Sequence, residues 1–155
     1  MPYRVCKSFE IESGHMLLKH PGLCRFPHGH TRRVDVVLVA DRLDERDMIC
    51  DFKAIKLALD AFLRRFDHAM AMNSRDPALA GMDPAMRERV VTFDNADPTT
   101  EVLAKHFYDH IAGELAADRE YSDDRGLRYR FPRGLRVERV RVSETSSTWA
   151  EYGPE

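Results

Sequence analysis

Two histidines separated by one glycine, His28-Gly29-His30, open a run that goes on alternating apolar and polar residues, and His15 lies a short way upstream. In an extended strand, side chains two apart leave the same face. His28 and His30 therefore aim two imidazoles at one point, and the glycine between them lets a neighbouring backbone come close. His15, on an adjacent strand, is the candidate third donor. Three histidines with one coordination position left open are the donor set of a catalytic zinc site. Cys24 is near enough in sequence to be either the fourth ligand or a separate thiol, and Lys19, His20 and Arg25 around it favour the reactive thiol. The plainer alternative is two surface histidines and one satisfied core histidine. Clustered nitrogen and sulfur donors favour metal over it.

Asp67-His68 stands where a helical pattern ends. It reads equally as a helix C-terminal cap, where histidine suits the dipole, and as a hydrogen-bonded acid–base pair. His20, His106 and His110 carry no assignment: a loop residue and two helix-surface residues. The seven arginines from Arg125 to Arg141 are the only basic concentration. Such a run most simply forms a solvated edge, although guanidinium also suits phosphate. Lys19, Arg32 and Arg33 are further guesses for phosphate contacts.

The elements that must carry these residues follow from periodicity. Tyr3, Val5, Phe9 and Ile11 share one face of a strand that Ser13-Gly14 interrupts before His15. Lys19-His20-Pro21-Gly22 is a turn, which places Cys24 on a loop. A second strand runs from His28 to about Ala40, with His28, His30, Val34, Val36, Leu38 and Ala40 on one parity. Asp41 to Asp47 is a charged hairpin loop and Met48-Ile49-Cys50 a short returning strand. Asp51 caps a helix whose buried positions are Phe52, Ile55, Leu59, Phe62, Leu63 and Phe66. Met70 to Arg89 is a long connection holding a short helical turn, followed by a small strand at Val90 to Phe93. Asp97-Pro98-Thr99-Thr100-Glu101 starts a second helix, with Leu103, Phe107, Ile111 and Leu115 inward. Asp118 to Gly134 is an exposed loop or extended hairpin. The last strand, Leu135 to Thr145, changes phase, which predicts a bulge near Glu138-Arg139. The bulge leaves Glu144 on the valine face, where a carboxylate needs a partner. This order predicts an α+β domain over residues 1–155, an antiparallel sheet with helices packed on one face.

A net charge of −2 gives no global attraction to nucleic acid or an anionic membrane. No apolar run reaches the length of a membrane span, and Met1-Pro2-Tyr3-Arg4 lacks a signal-peptide core. Three widely spaced cysteines, Cys6, Cys24 and Cys50, read as reduced thiols, which predicts a cytoplasmic protein.

The ordered set of His15, Cys-x-x-x-His-Gly-His, Asp51-Phe52, Asp67-His68, Pro-Thr-Thr-Glu-Val-Leu-Ala and a late Glu-Thr resembles the 6-pyruvoyltetrahydropterin synthase family. Within it the set is most similar to the bacterial 6-carboxytetrahydropterin synthases of queuosine biosynthesis, and it runs from about Phe9 to Tyr152. The resemblance implies that His15, His28 and His30 bind Zn2+, that Cys24 is the catalytic base, and that Asp67 and His68 shuttle the second proton. It implies that Thr99, Thr100, Glu101 and Glu144 anchor a pterin, so that the partner of the Glu144 carboxylate is the ligand.

The implied substrate is 7,8-dihydroneopterin triphosphate, converted to 6-carboxy-5,6,7,8-tetrahydropterin with acetaldehyde and triphosphate released. The implied fold is the tunnelling fold, a four-stranded antiparallel sheet with two helices. It assembles as trimers stacked into a homohexamer, with active sites between subunits. The sequence departs from the pattern at Glu10-Ile11-Glu12-Ser13-Gly14 before His15 and at Ala69-Met70-Ala71-Met72-Asn73 after His68. Both bear on substrate choice, so a paralogue making the 6-pyruvoyl or 6-hydroxymethyl product is the runner-up. A structural zinc module, with Cys24 closing the site and the arginines on nucleic acid, is the non-enzymatic competitor.

Overall fold

The computed structural model describes residues 1–155. In chain order the elements are β1 (Tyr3–His15), β2 (His28–Ala40), α1 (Phe52–Arg64), β3 (Ala69–Asn73), the single turn α2 (Pro84–Arg87), β4 (Val90–Phe93) and α3 (Thr100–Ala116). A small hairpin, β5 (Glu120–Ser122) and β6 (Arg128–Arg130), precedes β7 (Arg136–Thr145) and β8 (Thr148–Tyr152). Six strands form one sheet in the order β4-β3-β1-β2-β7-β8. Four of them, β1, β2, β7 and β8, are antiparallel, the number that the resemblance implies, although periodicity did not predict β8. Two parallel strands, β3 and β4, extend it beyond β1. No helix is long and apolar enough to cross a membrane.

The register of β1 on β2 does most to place the site. It runs unbroken from Tyr3 opposite Ala40 to His15 opposite His28, so Ser13-Gly14 continues the strand instead of interrupting it. Gly14 and Gly29 face each other across this pair. A Cβ on Gly29 would stand 3.3 Å from the Ser13 carbonyl oxygen, and one on Gly14 would meet the Met70 side chain and the Ala69 carbonyl on β3. The two glycines let β1 lie tightly between its neighbours exactly where the histidines are needed.

The inward face of the sheet carries Ile11 on β1, Val34, Val36, Leu38 and Ala40 on β2, and Val137, Val140 and Val142 on β7, all buried. Helices α1 and α3 cover it. Asp51 caps α1 by accepting from the Lys53 N–H at 2.7 Å, and Ala54, Ile55, Leu59 and Leu63 form its buried stripe. Phe52, expected in that stripe, is exposed, whereas Phe66 just past the helix end is buried. On α3 the buried positions are Leu103, Ala104, Phe107 and Ile111; Leu115 is only half-buried.

The predicted bulge is present: Val37 pairs with Arg139 and Leu38 with Val137, so Glu138 is the extra residue. A second irregularity lies at Glu144, since Ser143 pairs with Trp149 and Thr145 with Thr148. Bulges of this kind redirect a side chain. Three further expectations are corrected. Met48-Ile49-Cys50 is not a strand, because the Asp44 carboxylate accepts from the N–H groups of Arg46 and Met48 and satisfies the segment as a turn. Ala69–Asn73, expected as connection, is β3, its alanines and methionines held between two strands. After Thr145 the chain returns as β8.

Phe107 is fully buried, with the Phe66 ring centroid 5.0 Å from its own and that of Phe62 5.8 Å away. Phe107→Ala should cost about 3–5 kcal/mol in urea denaturation, whereas Phe52→Ala, half exposed to solvent, should cost less than about 1 kcal/mol.

Candidate metal centre

The register of β1 on β2 converts three sequence positions into one cluster. His15, His28 and His30 present ring nitrogens that, with a carboxylate oxygen of Glu144, all lie within 4.8 Å of one another. His30 Nε2 stands 3.2 Å from His15 Nε2 and 3.2 Å from Glu144 Oε1. A tetrahedron with zinc–nitrogen bonds of about 2.0 Å has edges of about 3.3 Å, so the spacing suits such an ion.

Hydrogen bonding fixes the ring orientations. His15 Nδ1–H donates to the Pro98 carbonyl at 2.8 Å, and His28 Nδ1–H donates to the Phe26 carbonyl at 2.8 Å. A carbonyl only accepts, so both rings carry the proton on Nδ1 and keep the Nε2 lone pair free. This second bond from each ring is how metal-binding histidines are held. His28 Nε2 is buried with no hydrogen-bond partner at all. An orphaned acceptor costs free energy unless something fills it, and a cation bound by the cluster would fill it.

Burial, together with the charge of Arg32 and the other two imidazoles, pushes the His15 pKa down to about 4 against the opposing Pro98 carbonyl. Burial and Arg32 also lower that of His30, against the pull of Glu144. Both rings are thus neutral near pH 7, the form that ligates. Burial raises the pKa of Glu144, but the Thr100 hydroxyl and the nearby His30, Arg32 and His15 outweigh it and hold the carboxyl below its ordinary value.

The remaining candidates divide. Thr100 joins the cluster: its Oγ1 donates to Glu144 Oε2 at 2.7 Å. Thr99 caps α3 by accepting from the Val102 N–H at 3.2 Å, and Glu101 is exposed in the first turn. Cys24 lies half-buried in a short 3-10 turn, and its sulfur is not among the converging donors. Asp67 and His68 form the expected pair, His68 Nδ1 to Asp67 Oδ2 at 3.0 Å. The Glu12 N–H and His68 together hold the Asp67 carboxyl below its ordinary pKa. His68 adopts a φ of 52° and is largely exposed. His68 and His30 both line an open cleft of about 790 Å³ whose walls include Met16, Met70, Met82 and Met86, an adaptable apolar surface.

Two residues escaped the sequence reading. Arg32, guessed as a phosphate contact, is fully buried and donates from Nη1 to Thr100 Oγ1 at 3.0 Å. Its signal was parity, since it shares the inward face of β2 with His30 and Val34. Asp97, read as a cap, instead accepts from the N–H groups of Leu18 and Lys19 and from Asn73 Nδ2. It thereby ties the loop after β1 to β3 and to the turn whose Pro98 carbonyl holds His15. No sequence signal marked it.

A family model described as 6-pyruvoyl tetrahydropterin synthase matches residues 4–155. A 6-carboxy-5,6,7,8-tetrahydropterin synthase of Aquifex aeolicus is 29% identical over 176 residues, covering 100% of both chains. A relative of the same name in Rickettsia conorii is 25% identical over 74% of this chain and 84% of its own. Among solved structures, WS1659 of Wolinella succinogenes matches with a TM-score of 0.79 at 19% identity, over 100% of this chain and 99% of that one. The 6-pyruvoyl tetrahydropterin synthase of Plasmodium vivax matches at 0.69 and 14% identity, over 100% and 99%. The fold is the expected tunnelling fold, with two more strands in the sheet than expected.

The lowered pKa of His15 has a consequence for the metal-free protein. Between pH 6.5 and about 4 the unfolded chain binds a proton at His15 and the folded chain does not. Stability is therefore complete above pH 6.5 and falls as the pH drops through this window, by up to about 3 kcal/mol. Denaturant melts of the metal-free protein at several pH values should show this fall, and His15→Gln should flatten it.

Proposed function

The chain belongs to the 6-pyruvoyl tetrahydropterin synthase family, and from that membership we propose that it is a zinc-dependent carbon–carbon lyase. The proposed reaction converts 7,8-dihydroneopterin triphosphate to 6-carboxy-5,6,7,8-tetrahydropterin, acetaldehyde and triphosphate. The observation that carries this reading is the convergence of three imidazoles, two of them fixed by backbone carbonyls with Nε2 free, beside the Glu144 carboxylate. Curated relatives named for the 6-carboxy product support the choice of branch.

His15, His28 and His30 would hold the zinc, which when bound supplies Lewis-acid polarisation of a substrate hydroxyl. The chain's own residues do the rest. Glu144, an acceptor tied to Thr100, meets the amino and ring N–H donors of the pterin. Thr99 and Glu101, at the start of α3, complete the anchor. Cys24 takes a side-chain proton as base. The Asp67–His68 pair moves the second proton: Asp67 accepts from His68 and from the Glu12 N–H, which fixes the imidazole at the cleft. Active sites between subunits of a homohexamer would let Asp67 and His68 of one chain serve Cys24 and the histidines of another. A place in queuosine biosynthesis and a cytoplasmic location belong to the same reading.

Mass spectrometry of the products from dihydroneopterin triphosphate tests the proposal. The 6-carboxy product with acetaldehyde is expected. The 6-pyruvoyl product would instead assign the triphosphate-eliminating activity of the runner-up paralogue. Cys24→Ala should retain zinc, by metal analysis, while turnover falls by about a hundredfold or more. Parallel loss of zinc would make the thiol a ligand and defeat its role as base.

A further inference from the structure

One charged side chain at this site has no part in the chemistry above. Arg32 is fully buried on the inward face of β2. Its Nη1 donates to Thr100 Oγ1 at 3.0 Å and to the Ser143 carbonyl at 3.3 Å. Its Nη2 lies 3.3 Å from His15 Nδ1 and 3.4 Å from His15 Nε2, and its Nε–H has no partner. Taking a guanidinium out of water is costly, and an unmet buried N–H adds to the cost. An apolar residue, such as Val34 and Val36 on the same face, would fill the position more cheaply.

We propose that Arg32 is a positioning residue whose fixed positive charge weakens the hold of the three-histidine site on its dication. The inference rests on the reading of that triad as a metal site. An imidazole that ligates is neutral, so the charges of Glu144 and Arg32 cancel and the site presents a dication with donors but no net charge; without Arg32 it would carry one negative charge. The guanidinium is also badly placed for the ion, because Nη2 lies against the Nε2 that His15 would use to bind it. Like charges this close in a water-poor interior repel strongly. Nor is Arg32 neutralised by direct contact: its link to Glu144 runs through the Thr100 hydroxyl. Arginine has donors only, so Thr100 accepts from Arg32 and turns its single proton to Glu144 Oε2. An ion bound against this charge is less fully neutralised by its protein ligands and keeps more attraction for a ligand oxygen.

The test is zinc affinity of the metal-free 155-residue chain, measured by competition with a chromophoric chelator. R32M should bind zinc at least about tenfold more tightly than wild type, and R32K, which restores the charge, should lie within about threefold of wild type. Equal or weaker binding by R32M overturns the inference. So does tightening of R32K as large as that of R32M, since the effect would then follow shape and not charge. If R32M does not fold, R32Q, neutral and still polar, is held to the same criterion. A wild-type protein that takes up no zinc would refute the metal reading itself, an outcome distinct from wild type binding zinc and R32M binding it no better.

Discussion

The pairing of β1 with β2 at their histidine ends is the constraint on which the site depends. His15 opposite His28 and Ser13 opposite His30 bring residues from two strands onto one face, and a slip of one residue would turn His15 to the other face of the sheet. Packing further along the pair, from Phe9 opposite Val34 to Val5 opposite Leu38, fixes that register far from the chemistry. The histidines sit where the buried valine rows end, so the core that stabilises the fold also aligns the imidazoles.

Around this pair the backbone supplies most of the orientation. The Phe26 carbonyl holds His28 from the loop just before β2, and the Pro98 carbonyl holds His15 from the turn before α3. That turn is in its place because Asp97, nearly buried, accepts three hydrogen bonds from two other segments. Glu144 reaches the cluster through the irregularity that ends the β7–β8 pairing, and Thr100 meets it from the first turn of α3. Four segments distant in sequence thus converge on a small volume, and both fixed imidazoles are held by backbone carbonyls outside the cluster itself. This is the support that keeps a polar site in one geometry at the edge of a core.

Much of this was legible from residue types and spacing. The long strands, the Asp51 cap, both major helices, the bulge at Glu138 and the need of Glu144 for a polar partner all follow from periodicity and burial cost. Of the two parallel strands, β4 follows from the sequence as the small strand Val90 to Phe93, but β3 does not, because Ala69-Met70-Ala71-Met72-Asn73 has no β-branched residues and no apolar–polar alternation; its strand conformation comes from β1 and β4 on either side. β8 was hidden by its exposure, since Thr148, Trp149, Glu151 and Tyr152 show no buried row. Arg32 was hidden for a different reason. An arginine's charge favours the surface, but parity decides: position 32 faces inward with His30 and Val34 whatever occupies it.

The same geometry weighs against a purely structural zinc module. Such a site is closed by ligands from the protein, and sequence proximity offered Cys24 for that role. The structure instead sets beside the imidazoles a carboxylate that is bonded to a threonine hydroxyl, and leaves the Cys24 sulfur outside the group. The arginine run gives such a module no basic surface either. Arg128, Arg130, Arg136, Arg139 and Arg141 all pair with carboxylates, and Arg141 also lies over the Trp149 ring at 3.6 Å. With five of its seven arginines matched locally, the segment projects little field for a phosphate backbone. What distinguishes the chain is therefore its half-buried polar cluster beside a methionine-walled cleft, an arrangement suited to a small molecule with a flat apolar body and a donor-rich edge.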